Sequence, residues 1–295
     1  MSCQRLFRCS FLSALLGLLA LFLPVSAQAL ETPLADTMKE ILKKPFKGDL
    51  DEIIERGYLR VLVPFSKTFY FIDDGAQKGL SVDVMTEFGK FMEKKHGKKL
   101  KDWQIVFIPT PRAKLFTDLA EGRGDIAAGN LTITPAREKL VDFSDPVVED
   151  AREIPVTAST AEPMKSTAEL SGKTVHVRPS ASYHESLLSL NAALEKDGKE
   201  PVSIVPADEK LEDEDLLELV RSGALQTIIM DEHKAEFWAS ILDGITLHTE
   251  APVREGAHIA YAVRKSAPGL QADLNAFVKN IRKGTKLGNI LLRKY

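Results

Sequence analysis

The sequence predicts an α/β protein with a largely parallel sheet, built from two successive sets of strands and helices. Three observations support this prediction. Short apolar runs of strand type alternate along the chain with longer runs of helical type. Glycines stand where helices are expected to end, at Gly97, Gly122 and Gly223. The 295 residues are enough for two modest domains with cores of their own.

The beginning of the chain is predicted to be a secretory signal peptide, residues 1–29. Arg5 and Arg8 supply its positive charge, and residues 11–23 are an apolar run of 13 residues. That run is too short to argue for a transmembrane helix. The sequence Ala27-Gln28-Ala29 then has the form of a cleavage site, so we expect the mature chain to begin near Leu30.

Cysteine content and charge narrow the class of protein. Cys3 and Cys9 both lie within the signal peptide, so the mature chain has no disulfide and no cysteine for a lipid anchor. Removing Arg5 and Arg8 from the 39 basic residues leaves 37 against 42 acidic ones, a net charge of −5. This balance disfavours nucleic acid as the main partner. We therefore expect a soluble periplasmic protein.

The first set of elements follows a charged, helix-prone lead at residues 30–57. Strands are predicted at LRVLVPF (59–65), WQIVFIP (103–109) and DIAAGNL (125–131). Between them, SVDVMTEFGKFMEKK (81–95) and RAKLFTDLAE (112–121) are typical of helices.

The second set has the same alternation. Strands are predicted at 173–178, 201–206, 226–231 and 258–265, and helices at 182–196, 212–223, 233–242 and 268–284. Ser182 and Glu185 have the spacing of a capping box for their helix. The acidic run ADEKLEDED (207–215) is predicted to be exposed on the protein surface.

The stretch GRGDIAAGNLTITPAREKLVDFSDP (122–146) is the most informative part of the chain. It predicts a helix end, a buried strand, a polar turn and a new helix with Thr134 as N-cap and Pro135 in the first turn. Arg137 then lies beside the free amides of a helix N-terminus. Amides, hydroxyls and a guanidinium at one point form a corner suited to a carboxylate.

This stretch resembles the family 3 extracellular solute-binding proteins, the periplasmic receptors for polar amino acids, and the resemblance extends from about Leu59 to the end. It implies a two-lobe periplasmic binding protein fold of type 2, with the second lobe inserted into the first. The crossings are placed near Glu149–Ile154 and Gly256–Ala260. Lobe 1 then comprises residues 30–152 and 259–295, and lobe 2 comprises 153–258.

The resemblance also implies a site for an α-amino acid. Arg137 would grip the ligand carboxylate, assisted by the hydroxyl and amide of Thr132. The carbonyl of Asn130 would face the ammonium, although a glycine is common there. Ser182, at the start of a second-lobe helix, would donate to the carboxylate and also cap its helix. Asp231, at the end of a strand, would pair with the ammonium.

The resemblance also implies aromatic walls from the first lobe. Phe69 and Tyr70 are predicted for that role, and at least one aromatic of their cluster is expected in the core. Arg112, and with it Arg178, could make the cleft cationic, which would suit a ligand with more than one carboxylate; the alternative is that both are solvated or salt-bridged. The acid that often follows the first strand in the family is absent here, where Val63 and Pro64 stand, which argues against a lysine- or arginine-type ligand.

Three functions remain open from the sequence. The first is a monomeric, non-catalytic receptor without cofactor or metal, whose partners are a small amino acid or peptide and an inner-membrane ABC permease. The second is a sensor of cell-wall peptides, because the chain also resembles the solute-binding-like domain of lytic murein transglycosylase F relatives. We expect no lysozyme-like domain after Tyr295. The third is a dehydratase-like enzyme on this scaffold, with Glu185 or Glu232 as its acid.

Overall fold

Strands and helices alternate along the chain in the computed structural model, as the sequence predicts. The structure describes residues 44–100, 103–282 and 285–289. The predicted signal peptide and most of the charged lead lie outside the described residues. All described residues belong to one compact unit, which spans residues 40–295.

The twelve described strands are, in chain order, β1 Tyr58–Val63, β2 Phe71–Asp73, β3 Ala76–Lys78, β4 Gln104–Pro109, β5 Ile126–Thr132, β6 Asp142–Phe143, β7 Val148–Ala158, β8 Thr174–Val177, β9 Ser203–Pro206, β10 Thr227–Asp231, β11 Ile245–Leu247 and β12 Arg254–Val263. The described α-helices are α1 Leu50–Arg56, α2 Leu80–His96, α3 Leu115–Ala120, α4 Pro135–Glu138, α5 Ser182–Lys196, α6 Asp213–Arg221, α7 Glu232–Ala239 and α8 Pro268–Ile281.

The main sheet has two parallel halves joined by two long antiparallel strands. Its order is β4-β1-β5-β12-β7-β10-β8-β9. The first half, β4, β1 and β5, is parallel, and so is the second half, β10, β8 and β9. β7 and β12 run antiparallel to each other and connect the halves. They contain both predicted crossings, so the chain enters the second half through β7 and leaves it through β12.

The C-terminal helix α8 returns to the first half of the sheet. Phe277 of α8 packs against Phe88 and Phe91 of α2, with ring centroids 5.3 and 5.8 Å apart. The backbone amides of Gly269 and Leu270 also donate to the Asp49 carboxylate before α1. The predicted two-lobe α/β fold with an inserted second lobe is confirmed, while the exact lobe limits stay predictions.

Local signals in the stretch around β5 act as predicted. Gly122 ends its helix with φ +84°, and a side chain there would meet the backbone of Phe46 at 2.6 Å. Thr134 caps α4 by accepting from the amide of Arg137, and Pro135 lies in the first turn. These residues fix where β5 ends and in which direction the chain then turns.

Two predictions about local structure are wrong. Ser182 does not cap α5: Ala181 is the N-cap residue, with no side-chain capping bond, so the capping box with Glu185 is absent. Glu185 instead accepts from the Thr134 hydroxyl across the cleft, at 3.2 Å. The predicted helix at 112–121 begins with a separate 3-10 turn, Arg112–Lys114. Ser182, Glu185 and Arg112 instead make hydrogen bonds to residues of the other lobe, which the local sequence spacing does not predict.

Candidate ligand-binding site

The carboxyl ends of β5 and β10 face one another across a cleft between the two lobes. The cavity left between them has a volume of about 30 Å³. That space holds about two water molecules, so the lobes must part to admit a larger solute. Its lining comes from both lobes: Arg112, Leu115, Phe116, Asn130, Leu131, Thr132, Arg137, Arg178, Ser180, Ala181, Ser182, Tyr183, Asp213, Asp231 and Lys234.

Arg137 lies where the sequence places it, at the turn after β5. Its Nη1 donates to the carbonyl of Thr132 at 2.8 Å, and its Nη2 donates to the carbonyl of Ser180 in the other lobe at 3.0 Å. The guanidinium also lies over the Phe116 ring, 4.9 Å from its centroid. Burial lowers the pKa of Arg137, and the Glu185 carboxylate opposes that effect. An arginine nevertheless keeps its proton in a protein, so Arg137 is a cation at the cavity wall.

Thr132 and Ser182 meet directly across the cleft. The Ser182 hydroxyl donates to the Thr132 hydroxyl at 3.1 Å, and both residues are buried. One is the last residue of β5 and the other the first residue of α5. Both predicted hydroxyl donors therefore lie at one end of the cavity, beside Arg137.

Asn130 adds a side-chain contact that a glycine could not supply. Its φ is +58°, in the left-handed region that asparagine tolerates better than most residues. Its amide Nδ2 donates to Asp231 Oδ2 at 2.7 Å, and its Oδ1 lies 3.0 Å from His233 Nε2. Burial lowers the pKa of His233, so a neutral ring donating to Asn130 accounts for this contact.

Asp231 is buried and only half of its carboxylate is used. Oδ2 accepts from Asn130, from the hydroxyl of Tyr183 at 2.8 Å and from Nζ of Lys234 at 3.0 Å. Oδ1 is buried and has no hydrogen-bond partner among the described residues. A buried polar atom without a partner is uncommon and calls for an explanation.

A buried ionic network supports Asp231 from the second lobe. Asp213 pairs with both Arg178 and Lys234. Burial alone would raise the pKa of Asp213, but these two cations hold it well below its ordinary value. Burial would likewise lower the pKa of Lys234, but Asp213 and Asp231 raise it above its ordinary value. The network is therefore ionised at neutral pH.

Tyr183 completes this network as a neutral hydroxyl. Burial, together with Asp213 and Asp231, raises its pKa well above the ordinary value. Its hydroxyl consequently donates to Asp231 and accepts from Lys234, whose Nζ lies 2.7 Å away.

Arg112 links the two lobes at the other side of the cavity. Its Nε lies 2.7 and 3.0 Å from the two carboxylate oxygens of Glu212, and its Nη1 donates to the carbonyl of Gly129. Burial would lower the pKa of Arg112, but Glu212 and Asp213 raise it. Nη2 of Arg112 is buried without a partner among the described residues.

The predicted aromatic walls lie elsewhere in the structure. Tyr70 is buried in the core of the first lobe, 5.9 Å from the Phe107 ring, and does not line the cavity. Phe69 is also outside the lining, but its ring lies 5.7 Å below the Arg112 guanidinium. Phe116 and Tyr183 are the aromatic residues that border the cavity.

The acidic run at 207–215 is only partly surface, which corrects the sequence interpretation. Glu212, Asp213 and Glu214 are all buried. Glu214 Oε1 accepts from the Ser66 hydroxyl and the Lys67 amide of the first lobe, both at 2.7 Å. The sequence contained one indication that these acids are buried: they directly precede or begin the amphipathic helix α6.

The described residues show neither a metal cluster nor a membrane helix. Within 44–100, 103–282 and 285–289, no three histidine, cysteine, aspartate or glutamate side chains could hold a metal ion together. In the same ranges no helix combines the length and apolar character that crossing a bilayer requires.

Comparison with known proteins covers most of the chain. The sequence profile described as "Bacterial extracellular solute-binding proteins, family 3" matches residues 59–295. The "Membrane-bound lytic murein transglycosylase F" of Desulfosudis oleivorans is 25% identical over 248 residues, which make up 83% of this chain and 50% of that protein. The "Putative amino-acid ABC transporter-binding protein PatH" of Vibrio harveyi is 28% identical over 167 residues, 57% of this chain and 59% of that protein.

A third relative is the "Cyclohexadienyl dehydratase" of Pseudomonas aeruginosa, 30% identical over 125 residues, 41% of this chain and 42% of that protein. The chain thus spans between 42% and 59% of the length of these three curated relatives.

Solved structures share the fold. An ancestral arginine-binding protein bound to arginine has a TM-score of 0.64 at 22% identity, over 81% of this chain and 98% of that one. The ancestral amino acid-binding protein AncCDT-1, a precursor of cyclohexadienyl dehydratase, has a TM-score of 0.66 at 24% identity, over 83% and 97%.

Proposed function

The chain belongs to the bacterial extracellular solute-binding proteins, family 3, and on that premise we propose that it is a periplasmic receptor for an amino acid or short peptide. The ligand carries a free carboxylate and an ammonium group. A signal peptide at residues 1–29 exports the protein, and an inner-membrane ABC permease receives the ligand. The resemblance to the Vibrio harveyi ABC transporter-binding protein supports the transport role.

One observation carries the proposal: donors for an anion and an unused acceptor border the same cavity. Arg137, Thr132 and Ser182 cluster where a carboxylate would bind. Asp231 Oδ1 is a buried acceptor of the cavity lining without a hydrogen-bond partner among the described residues, which suits an ammonium group. An α-amino acid carries both groups, and each end would meet residues of both lobes.

Binding is proposed to require opening and closing of the lobes. In the closed arrangement, site residues of opposite lobes contact each other, as Thr132 contacts Ser182 and Asn130 contacts Asp231. A ligand would enter an open cleft and insert between these pairs. It favours closure because its contacts come from both lobes only in the closed state.

A thermal-shift screen of free L-amino acids tests this proposal, followed by calorimetry with the best binder. The C-terminal amide of that binder is the matched control, because it keeps the side chain and the ammonium but loses the carboxylate charge. We expect the amide to bind far more weakly. An amide that binds as tightly as the parent would contradict the assigned polarity.

A second candidate is a sensor that binds cell-wall peptides. The observation that favours it is the resemblance to the Desulfosudis oleivorans transglycosylase F over 83% of this chain. Muropeptides added to the same screen distinguish the two functions. A muropeptide that stabilises the protein more than any free amino acid would favour the sensor.

We propose binding without catalysis. Neither glutamate considered as a catalytic acid lines the cavity: Glu232 pairs with Arg152 at 2.9 Å, and Glu185 accepts from Thr134. The dehydratase resemblance covers 41% of this chain. Incubation with cyclohexadienyl substrates and with peptidoglycan tests the proposal, and turnover of either one would refute it.

A further inference from the structure

The cavity has more cationic than anionic side chains in its lining. Arg112, Arg137, Arg178 and Lys234 are the cations, and Asp213 and Asp231 are the acids. Glu212, which pairs with Arg112 from outside the lining, adds a third acid. Glu185 and Glu153 also act on Arg137 from outside the lining. The unused donors of the lining cations, and not a net charge, therefore indicate the ligand.

Two of these cations keep unused donors. Nη2 of Arg112 and Nε of Arg178 are buried and have no hydrogen-bond partner among the described residues. Both side chains are held in place by acids, since Arg112 pairs with Glu212 and Arg178 with Asp213. The two guanidinium groups come from opposite lobes and border one cavity. Donors of this kind are suited to a carboxylate.

Lys234 already supplies an ammonium group to Asp231. Its Nζ contacts Asp213, Tyr183 and Asp231 Oδ2, which accounts for its three protons. Among the cavity-lining residues, Asp231 Oδ1 is then the buried acceptor left for the ligand. A second cationic group on the ligand would find no acceptor there and would face Arg112 and Arg178. Ligands with basic side chains are therefore disfavoured.

We propose that the cleft selects an amino acid or short peptide bearing a second carboxylate, which Arg112 and Arg178 hold. This inference rests on the proposed receptor function and names the chemical class of its ligand. The α-carboxylate lies at Arg137, the ammonium at Asp231 Oδ1, and the side-chain carboxylate at the two unused guanidinium donors.

Calorimetry with matched ligands tests the proposal. L-glutamate and L-aspartate are compared with L-glutamine and L-asparagine, which have nearly the same shape but no side-chain charge, and with L-arginine. We expect at least one acidic ligand to bind about tenfold or more tightly than its amide, because the amide leaves a charged donor without an ionic partner. Equal affinity for acid and amide, or tighter binding of L-arginine, would overturn the inference while leaving the receptor function intact.

Glutarate separates this inference from the receptor function, because it keeps two carboxylates and lacks the ammonium. Weaker binding of glutarate than of L-glutamate supports both. Equal binding would contradict the ammonium role of Asp231 and would still support the second carboxylate site. If no acidic ligand binds, the inference is overturned.

Variants locate the second carboxylate site. Arg112→Gln and Arg178→Gln are expected to reduce the preference for the acidic ligand over its amide to about threefold or less. The measured quantity is the ratio of the affinity for the acidic ligand to the affinity for its amide. Both ligands require lobe closure, so a change in the free energy of closure cancels in this ratio. Arg221→Gln, an exposed arginine on α6, is the control and should keep the full ratio. If Arg178→Gln does not fold, the affinity ratio of Arg112→Gln tests the assignment by itself. An unchanged ratio in that variant would overturn the assignment.

Discussion

Two buried ionic clusters in this protein both combine aspartates with cationic side chains, and they differ in their surroundings. In the first lobe, Asp125 is surrounded by Arg56, Arg60 and Arg264. In the cleft, Asp213 and Asp231 are surrounded by Arg178 and Lys234, with Arg112 nearby. In each cluster the central carboxylates are buried.

The difference is in what lies beside each cluster. Arg60 donates to the carbonyls of Gly122 and Lys44, and Arg264 donates to the carbonyl of Gly48. The guanidinium of Arg56 lies over the rings of Phe46 and Tyr58. Backbone carbonyls and aromatic rings thus surround the first cluster, while a cavity borders the second. Buried donors without a partner occur in both clusters, since Nε and Nη1 of Arg56 and Nε of Arg264 have none among the described residues. The adjoining cavity is therefore what makes the second cluster the candidate ligand site.

The largest expected effect tests the first cluster as a structural one. Asp125→Ala leaves three arginines without their shared carboxylate, and removing one partner from a buried ionic group typically costs about 3–5 kcal/mol. We expect the free energy of unfolding, measured by urea titration, to fall by that amount. Asp142→Ala is the control, because its partner Lys265 is half exposed and the change should stay within about 0.5 kcal/mol. A loss below about 1 kcal/mol in Asp125→Ala would contradict the structural role.

The next effect tests the cleft as a binding site. Arg137→Ala removes the cation at the carboxylate end, and losing one partner of a buried charged pair typically costs about 2–5 kcal/mol, at least roughly thirtyfold in affinity. Calorimetry with the best-binding amino acid measures the loss, and circular dichroism checks that the fold is kept. Arg123→Ala, an exposed arginine after α3, should bind as the unmodified protein does. Unchanged affinity in Arg137→Ala would remove Arg137 from the site.

A smaller effect depends on pH and concerns Glu153, a buried acid behind the cleft whose Oε1 lies 3.7 Å from Nη1 of Arg254. Burial raises the pKa of Glu153, an effect that Asp231 adds to and that Ser186 and Arg254 only partly oppose. A raised pKa in the folded state means that the protonated form favours folding. This contribution is present below the ordinary pKa of 4.5 and is lost as pH rises through the folded value.

Glu153→Gln should therefore be more stable than the unmodified protein at pH 7, with an advantage that shrinks as pH falls through the raised folded-state pKa and has disappeared below about 4.5. Thermal unfolding between pH 3 and pH 8 measures it. If the extra stability of Glu153→Gln increased as the pH was lowered, the pKa of Glu153 would be lowered in the folded state and not raised.

The smallest effect concerns a contact between the lobes. Glu214 of the second lobe accepts from Ser66 and Lys67 of the first, so we expect these contacts to be lost when the cleft opens. Glu214→Gln keeps an acceptor oxygen but loses its charge, and charge-assisted hydrogen bonds are stronger than neutral ones. We expect closure to weaken by about 1 kcal/mol, which lowers ligand affinity about fivefold. Glu218→Gln, exposed on the same helix, should leave affinity unchanged, and equal affinity in both variants would exclude a role for Glu214 in closure.

The sequence by itself determined the alternation of elements and the turn that presents Arg137. The cap at Thr134, the proline at 135 and the helix end at Gly122 depend on residues within a few positions of each other. Backbone sterics and capping bonds act over that short distance, so a local pattern is enough to predict them.

Only the tertiary structure decided which side chains border the cavity. The hydroxyl of Ser182 contacts Thr132, 50 residues away, instead of capping its own helix, and Glu214 meets Ser66 across 148 residues. Tyr70 is buried in the first-lobe core, while Tyr183 packs against the second-lobe core and borders the cleft with its hydroxyl in the ionic network. The energy of such contacts depends on which surfaces the two lobes bring together. The β7 and β12 crossings that set this are distant in sequence from Ser66, Ser182 and Glu214.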